Sequence, residues 1–182
     1  MAWYLALIAV IAVERIAELV VSKRNLMWTT ARGGTEVGLG HYPAMVVLHV
    51  ALLVGCVLEP LLLDRPFLPA LGWPMLAVVV AAQVLRWWCI TTLGPQWNTR
   101  VVVVPGAPRV TGGPYRWIPH PNYVAVIVEG VALPLVHAAW LTAVAFTVLN
   151  ALLLRTRMRV ENRVLARLVG GRERSESGKA PR

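Results

Sequence analysis

Charge is scarce in this sequence: 15% of its 182 residues are Asp, Glu, Lys or Arg, and only nine of those are acidic. Too few polar side chains remain to cover a soluble domain of this length, and no long polar stretch occurs before the last dozen residues. Cysteine is almost as rare. Cys56 and Cys89 each fall inside an apolar run with no paired spacing, which excludes a disulfide framework or a thiolate zinc site. The basic residues, 18 against 9 acidic, give a net charge of +9. They sit between or after apolar runs and form no patch interleaved with aromatics, so the excess is a matter of topology and no nucleic-acid partner is implied. What is abundant is apolar: 57% of residues are hydrophobic and the mean hydropathy is +0.61, values of an integral membrane protein.

The apolar runs predict an all-α membrane fold of about five transmembrane helices. The first, Ala2 to Val21, has neither a basic leader nor a small-residue cleavage site and reads as a retained helix. Tyr42 to Leu63 and Leu71 to Leu93 follow, separated by a turn containing Asp64, Pro66 and Pro69. Asn122 to Leu154 is too long for one upright span, and the break at Pro134 to His137 predicts a tight helical hairpin of the last two spans. Lys and Arg then alternate in density. Lys23, Arg24 and Arg32 lie between spans one and two, Arg100, Arg109 and Arg116 between three and four, and nine more beyond Leu154, against Arg65 alone on the other side. The positive-inside rule places the N-terminus outside and the C-terminus in the cytoplasm. The chain divides into a three-helix membrane region (1–93), a catalytic region (94–169) and a disordered tail (170–182).

Ionisable groups inside spans mark pairing or function. Glu14 and Glu18 share a helix face, with Arg86 as an expected partner and Arg15 joining them, either as ion pairs that fix the bundle or as a polar substrate path. Glu129 has no basic residue within one turn on its own helix. Asn122 and Glu129 lie on one face roughly 10 Å apart, and Asn150, Arg157 and Glu161 form a matching stripe on the next helix, predicting a polar cleft open to the cytoplasm. The alternative for Arg157 and Glu161 is a surface i,i+4 pair, with Arg155, Arg159 and Arg163 facing phospholipid. The intervening loop, GPQWNTRVVVVPGAPRVTGGPYRWIPHP, offers Trp97, Tyr115, Trp117 and a Gly112-Gly113-Pro114 turn, suited to an adenine ring or a cationic sulfonium or, alternatively, to an interfacial aromatic belt.

The segment GGPYRWIPHPNY, the hairpin after it and RTRMRVENRVL resemble the isoprenylcysteine carboxyl methyltransferase family over about Leu93 to Leu168. The resemblance implies an integral membrane methyltransferase that uses S-adenosylmethionine without a Rossmann domain, with its active site on the cytoplasmic face of what is expected to be a bacterial cell membrane. It implies Tyr115, His120, Pro121 and Tyr123 in the cofactor pocket, Glu161 on the cofactor's polar end, Arg157 within the same C-terminal motif, and lipophilic acceptors entering from the bilayer lipid. The family pattern has Arg where this chain has Pro119 and a double Glu where it reads Glu161-Asn162. The strings HPNYVAVIVEG and ALPLVHAAW are more similar to a bacterial branch that accompanies type III polyketide synthases and O-methylates alkylpyrones or alkylresorcinols. In such a reaction Glu129 is the expected general base and His120 the competing one. The other readings are a sterol-type membrane reductase using NADPH, whose motif also contains His-Pro-Asn-Tyr, and a non-catalytic membrane scaffold.

Overall fold

The computed structural model describes the backbone of residues 1–37, 42–108 and 110–177, and the side chains in those ranges as far as Arg159 except Val37 and Val103. Among the described residues the chain forms α1 (Ala2–Thr30), β1 (Thr35–Val37), α2 (Tyr42–Leu62), α3 (Pro69–Leu93), β2 (Val101–Val103), α4 (Pro121–Leu135) and α5 (Trp140–Ser177), with short 3-10 turns at Gly94–Gln96 and Gly113–Arg116. The helices run up and down in sequence order, α4 packing between α3 and α5 while α2 leans on α5.

α2 and α3 follow the expected spans within two residues at each end. α1 continues past Val21 to Thr30. Hydropathy falls at Ser22, but nothing from Ser22 to Thr30 breaks a helix, so the apolar run ends before the helix does. Among the described residues, three segments are long and apolar enough to cross a membrane: Tyr42–Leu62, Pro69–Gln96 and Trp140–Arg159. α1 has the length but carries Glu14, Arg15 and Glu18 in its middle, and α4, at 15 residues, is shorter than the roughly 20 of a full crossing. The outward faces are apolar: Val10, Val13, Val47, Val84 and Val144 are each more than 60% exposed, a surface for lipid.

The chain is all-helical as expected, apart from one short two-stranded pair. β1 and β2 pair antiparallel, Glu36 opposite Val102, where a run of β-branched valines favours extended backbone over helix. α5 also runs on to Ser177, into the stretch expected to be disordered from Gly170 onward.

The end of the bundle that holds the α1 N-terminus is packed with apolar side chains, including Tyr4, Ile8, Ile11, Leu52, Cys56, Leu133 and Val136. The Tyr4 hydroxyl donates to the Leu133 carbonyl at 3.1 Å. The break between α4 and α5 spans residues 136–139, with Ala138 in the left-handed region at φ +53°. Glu59, reaching over from α2, caps the start of α5: its carboxylate accepts from the Leu141 and Thr142 amides at 3.1 and 2.7 Å and from the Thr142 hydroxyl at 2.8 Å. The orphan donors of that helix N-terminus are thus satisfied across the hairpin. Farther from the break, within α4, Gly130 lets α4 approach α5; a Cβ there would lie 2.0 Å from Phe146.

Candidate functional site

The inward face of α1 changes character along its length. Buried Tyr4, Ile8 and Ile11 are followed, at the same spacings of three and four, by buried Glu18, Ser22, Asn25 and Thr29. A helix face obeys geometry, not polarity, so this stripe must find partners inside the bundle.

Glu18 finds the first of them. Its carboxylate lies 3.0 Å from the Arg15 guanidinium and 3.6 Å from Arg86 on α3, the pairing expected from the sequence. Arg15 also reaches Glu14 at 3.4 Å and Gln83 at 3.1 Å, and Gln83 and Trp87 both donate to Glu14. Glu129 is not the lone carboxylate that its own helix suggested. Arg86 donates to it directly, and Arg15 stands 3.7 Å away. The partners come from α3 and α1, which spacing along α4 cannot reveal. Burying charges is costly unless each is paired, and here three carboxylates and two guanidiniums share one network.

Ser22 and Asn25 tie the loop after α3 to α1. Ser22 Oγ donates to Asn98 Oδ1 at 2.7 Å and accepts from the Thr99 amide at 3.1 Å; Asn25 donates to the Gly94 and Trp97 carbonyls at 3.1 and 2.7 Å. The β1–β2 pair continues this attachment. Arg100 bridges to Glu36 at 2.8 Å and lies 4.6 Å over the Tyr42 ring. The bond to Glu36 holds the Arg100 guanidinium more firmly protonated than usual. With the strap in place, Trp97 is 3% exposed. Further along, Gly113 adopts φ +53° against α3, where a Cβ would come within 2.5 Å of Thr92 Oγ1, and Trp117 meets Trp88 edge-on at 5.9 Å.

Between the network, the strap and the last two helices lies a cavity of about 150 Å3 with an open mouth. Its polar lining includes Glu18 and Arg86, Tyr42 and His49 from α2, Trp97 and Thr99 from the strap, Asn122 and Tyr123 from α4, and Asn150 and Arg157 from α5. Leu19, Val46, Val50, Leu53, Val126 and Leu154 form an apolar wall. Several buried polar atoms here have no hydrogen-bond partner among the described residues: Asn122 Oδ1, Trp97 Nε1 and Arg157 Nε. Buried polar groups are rarely left so unless a ligand or water completes them.

The polar stripes read from the sequence therefore meet: Asn122, Asn150 and Arg157 line one cleft. Tyr123 lines it too, 5.2 Å from the Arg157 guanidinium, and His120 stacks on Tyr123 with ring centroids 5.1 Å apart and planes tilted by only 13°. His120 and Pro121 start α4 behind the lining, and Tyr115 sits against the Cys89 thiol. The Glu161 side chain lies outside the described residues. Sequence reasoning passed over Tyr42, His49, Ser22 and Asn25. The rule that flagged Arg86, a titratable group inside an apolar span, also fits His49; the stripe Glu18, Ser22, Asn25, Thr29 was visible in the α1 spacing once the helix was allowed to pass Val21.

A helical bundle with a lipid-suited exterior and a partly polar interior cavity has the build of an integral membrane protein. The chain belongs to the isoprenylcysteine carboxyl methyltransferase (ICMT) family, whose model matches residues 75–167, from α3 through the cavity-lining part of α5. It is also similar to the uncharacterized protein YpbQ of Bacillus subtilis (strain 168), with 38% identity over 160 residues, 87% of this chain and 94% of that protein. Family membership points to methyl transfer as its class of chemistry.

Proposed function

We propose that this chain is a membrane-embedded O-methyltransferase that uses S-adenosylmethionine to methylate a lipophilic acceptor drawn from the bilayer. The observation that carries this reading is the cavity itself, where unpartnered polar atoms of Asn122, Trp97 and Arg157 share one space with an aliphatic wall. The residues present fit the cofactor. Arg157 suits its carboxylate, the faces of Tyr42, Tyr123 and Trp97 suit a sulfonium or an adenine ring, and Glu161, in the same C-terminal motif, suits the ribose hydroxyls. When bound, S-adenosylmethionine supplies a methyl group already activated as an electrophile by its sulfonium. The chain's own task is then to bind both partners, keep water out beneath the Trp97 strap and hold the acceptor oxygen in line.

In this reading α1 and α4 complete five crossings, the N-terminus faces outward, and the strap and the α5 extension lie in the cytoplasm of a bacterial cell. Residues 94–169 form the catalytic region, completed by α1 and α2 of the three-helix region. Leu19, Val50 and Leu53 accept an alkyl chain with little discrimination per methylene. An alkylpyrone or alkylresorcinol hydroxyl is the preferred acceptor over an isoprenylcysteine carboxylate, because the Arg that precedes His-Pro in the family pattern is replaced by Pro119.

Calorimetry of S-adenosylhomocysteine binding to detergent-purified protein tests the reading. Saturable binding by the wild type that is lost in Arg157→Ala and Glu161→Ala is expected. Folded wild-type protein that binds no S-adenosylhomocysteine but does bind NADPH would establish the reductase instead.

A further inference from the structure

We propose that His49, on α2, is the general base that takes the proton from the acceptor hydroxyl; this rests on the O-methyltransferase reading. Of the three carboxylates in the charge network, Glu18 lines the cavity, whereas Glu14 and Glu129 do not. Arg86 and Arg15 both approach the same oxygen of Glu129, while the two oxygens of Glu18 face Arg86 at 3.6 Å and Arg15 at 3.0 Å. Glu14 accepts from Gln83 and Trp87 and lies 3.4 Å from Arg15. Glu18 is thus held between two guanidiniums, and although its Oε1 makes no hydrogen bond among the described residues, taking up a proton would leave both buried cations without it.

His49 differs on each count. It lines the cavity, and its Nδ1 lies 2.8 Å from the Met45 carbonyl oxygen. A carbonyl can only accept, so Nδ1 carries the hydrogen and the neutral ring keeps its lone pair at Nε2. Phe146 meets the imidazole edge-on at 5.5 Å and fixes its plane; Phe146 is itself pressed against Gly130. Tautomer and orientation are thus both set by the fold. His120 stacks on Tyr123 behind the lining and His137 packs near Tyr4 and Phe67 at the opposite end.

The step balances. The acceptor O–H bond breaks with its proton passing to Nε2, and the oxygen pair forms the new O–C bond to the methyl carbon. The C–S bond of the sulfonium breaks with its electron pair remaining on sulfur, leaving a neutral thioether. One positive charge disappears at sulfur as one appears on the imidazolium, so the net charge of the cavity beside Glu18 and Arg86 is unchanged. The imidazolium releases its proton to water when product leaves.

The test compares wild type, His49→Gln and His49→Ala with a series of alkylphenols of graded acidity as acceptors. Both variants are expected to bind S-adenosylhomocysteine within about twofold of wild type yet lose methyl transfer by on the order of 100-fold or more. The defect should shrink as the phenol becomes more acidic, and added imidazole should restore part of the His49→Ala activity. Transfer by both variants within about threefold of wild type would overturn the role while leaving the methyltransferase reading intact. Loss of transfer and cofactor binding together, with neither imidazole rescue nor dependence on acceptor acidity, would make His49 structural. A folded wild type that methylates none of the acceptors would overturn the reading and this inference with it.

Discussion

The two halves of the inward face of α1 are built on the same spacing and do opposite things. From Tyr4 to Ile11 the face packs into the apolar core with Cys56, Leu133 and Val136; from Glu18 to Asn25 it carries a carboxylate, a hydroxyl and an amide to the cavity and its strap, while the Thr29 hydroxyl turns back to the Leu26 carbonyl. The first half is held by area and shape, the second by partners. A core of aliphatic groups degrades gradually with lost volume, whereas a charge network fails when one member is removed, because its partners stay buried without compensation.

Variants that break this contrast should rank by how many partners they strand. Arg86→Met leaves Glu18 and Glu129 short of a guanidinium and is expected to cost about 3–5 kcal/mol, read as a drop in thermal midpoint in detergent. Leu133→Ala in the apolar half should cost about 2–5 kcal/mol by the same measurement, without changing S-adenosylhomocysteine affinity in protein that remains folded. Arg157→Ala sharpens the contrast from the other side. Its loss should weaken S-adenosylhomocysteine binding about tenfold or more, the effect of one charge-assisted contact, with little change in thermal midpoint. The smallest effect is expected from Arg100→Ala, whose half-exposed pair with Glu36 should be worth under about 1 kcal/mol and be sensitive to salt.

The parts legible in the sequence were those set by local pattern. α2, α3 and the break before Trp140 followed from apolar runs and from Pro134, and the meeting of Asn122, Asn150 and Arg157 followed from helical periodicity on two antiparallel neighbours. The pairing of Glu18 with Arg86 followed from the cost of charge in a bilayer. What escaped was decided between distant segments. Glu129 drew Arg86 and Arg15 from other helices, Glu59 capped a helix more than 80 residues away, and three valines paired with Thr35–Val37 although strands of that length carry almost no signal of their own. α1 was read too short because a helix that leaves the apolar zone continues as helix, and its last three turns are the ones that hold the strap.

Methyl transfer is tested most directly by one measurement: transfer of labelled methyl from S-adenosylmethionine to an alkylresorcinol by wild-type protein in lipid vesicles, beside Arg157→Ala. Label is expected in an O-methylated, organic-extractable product from the wild type, with a rate at least about tenfold lower from the variant at subsaturating cofactor. Equal rates from the two proteins, or no labelled product from folded wild type with any lipophilic hydroxyl acceptor, would contradict it.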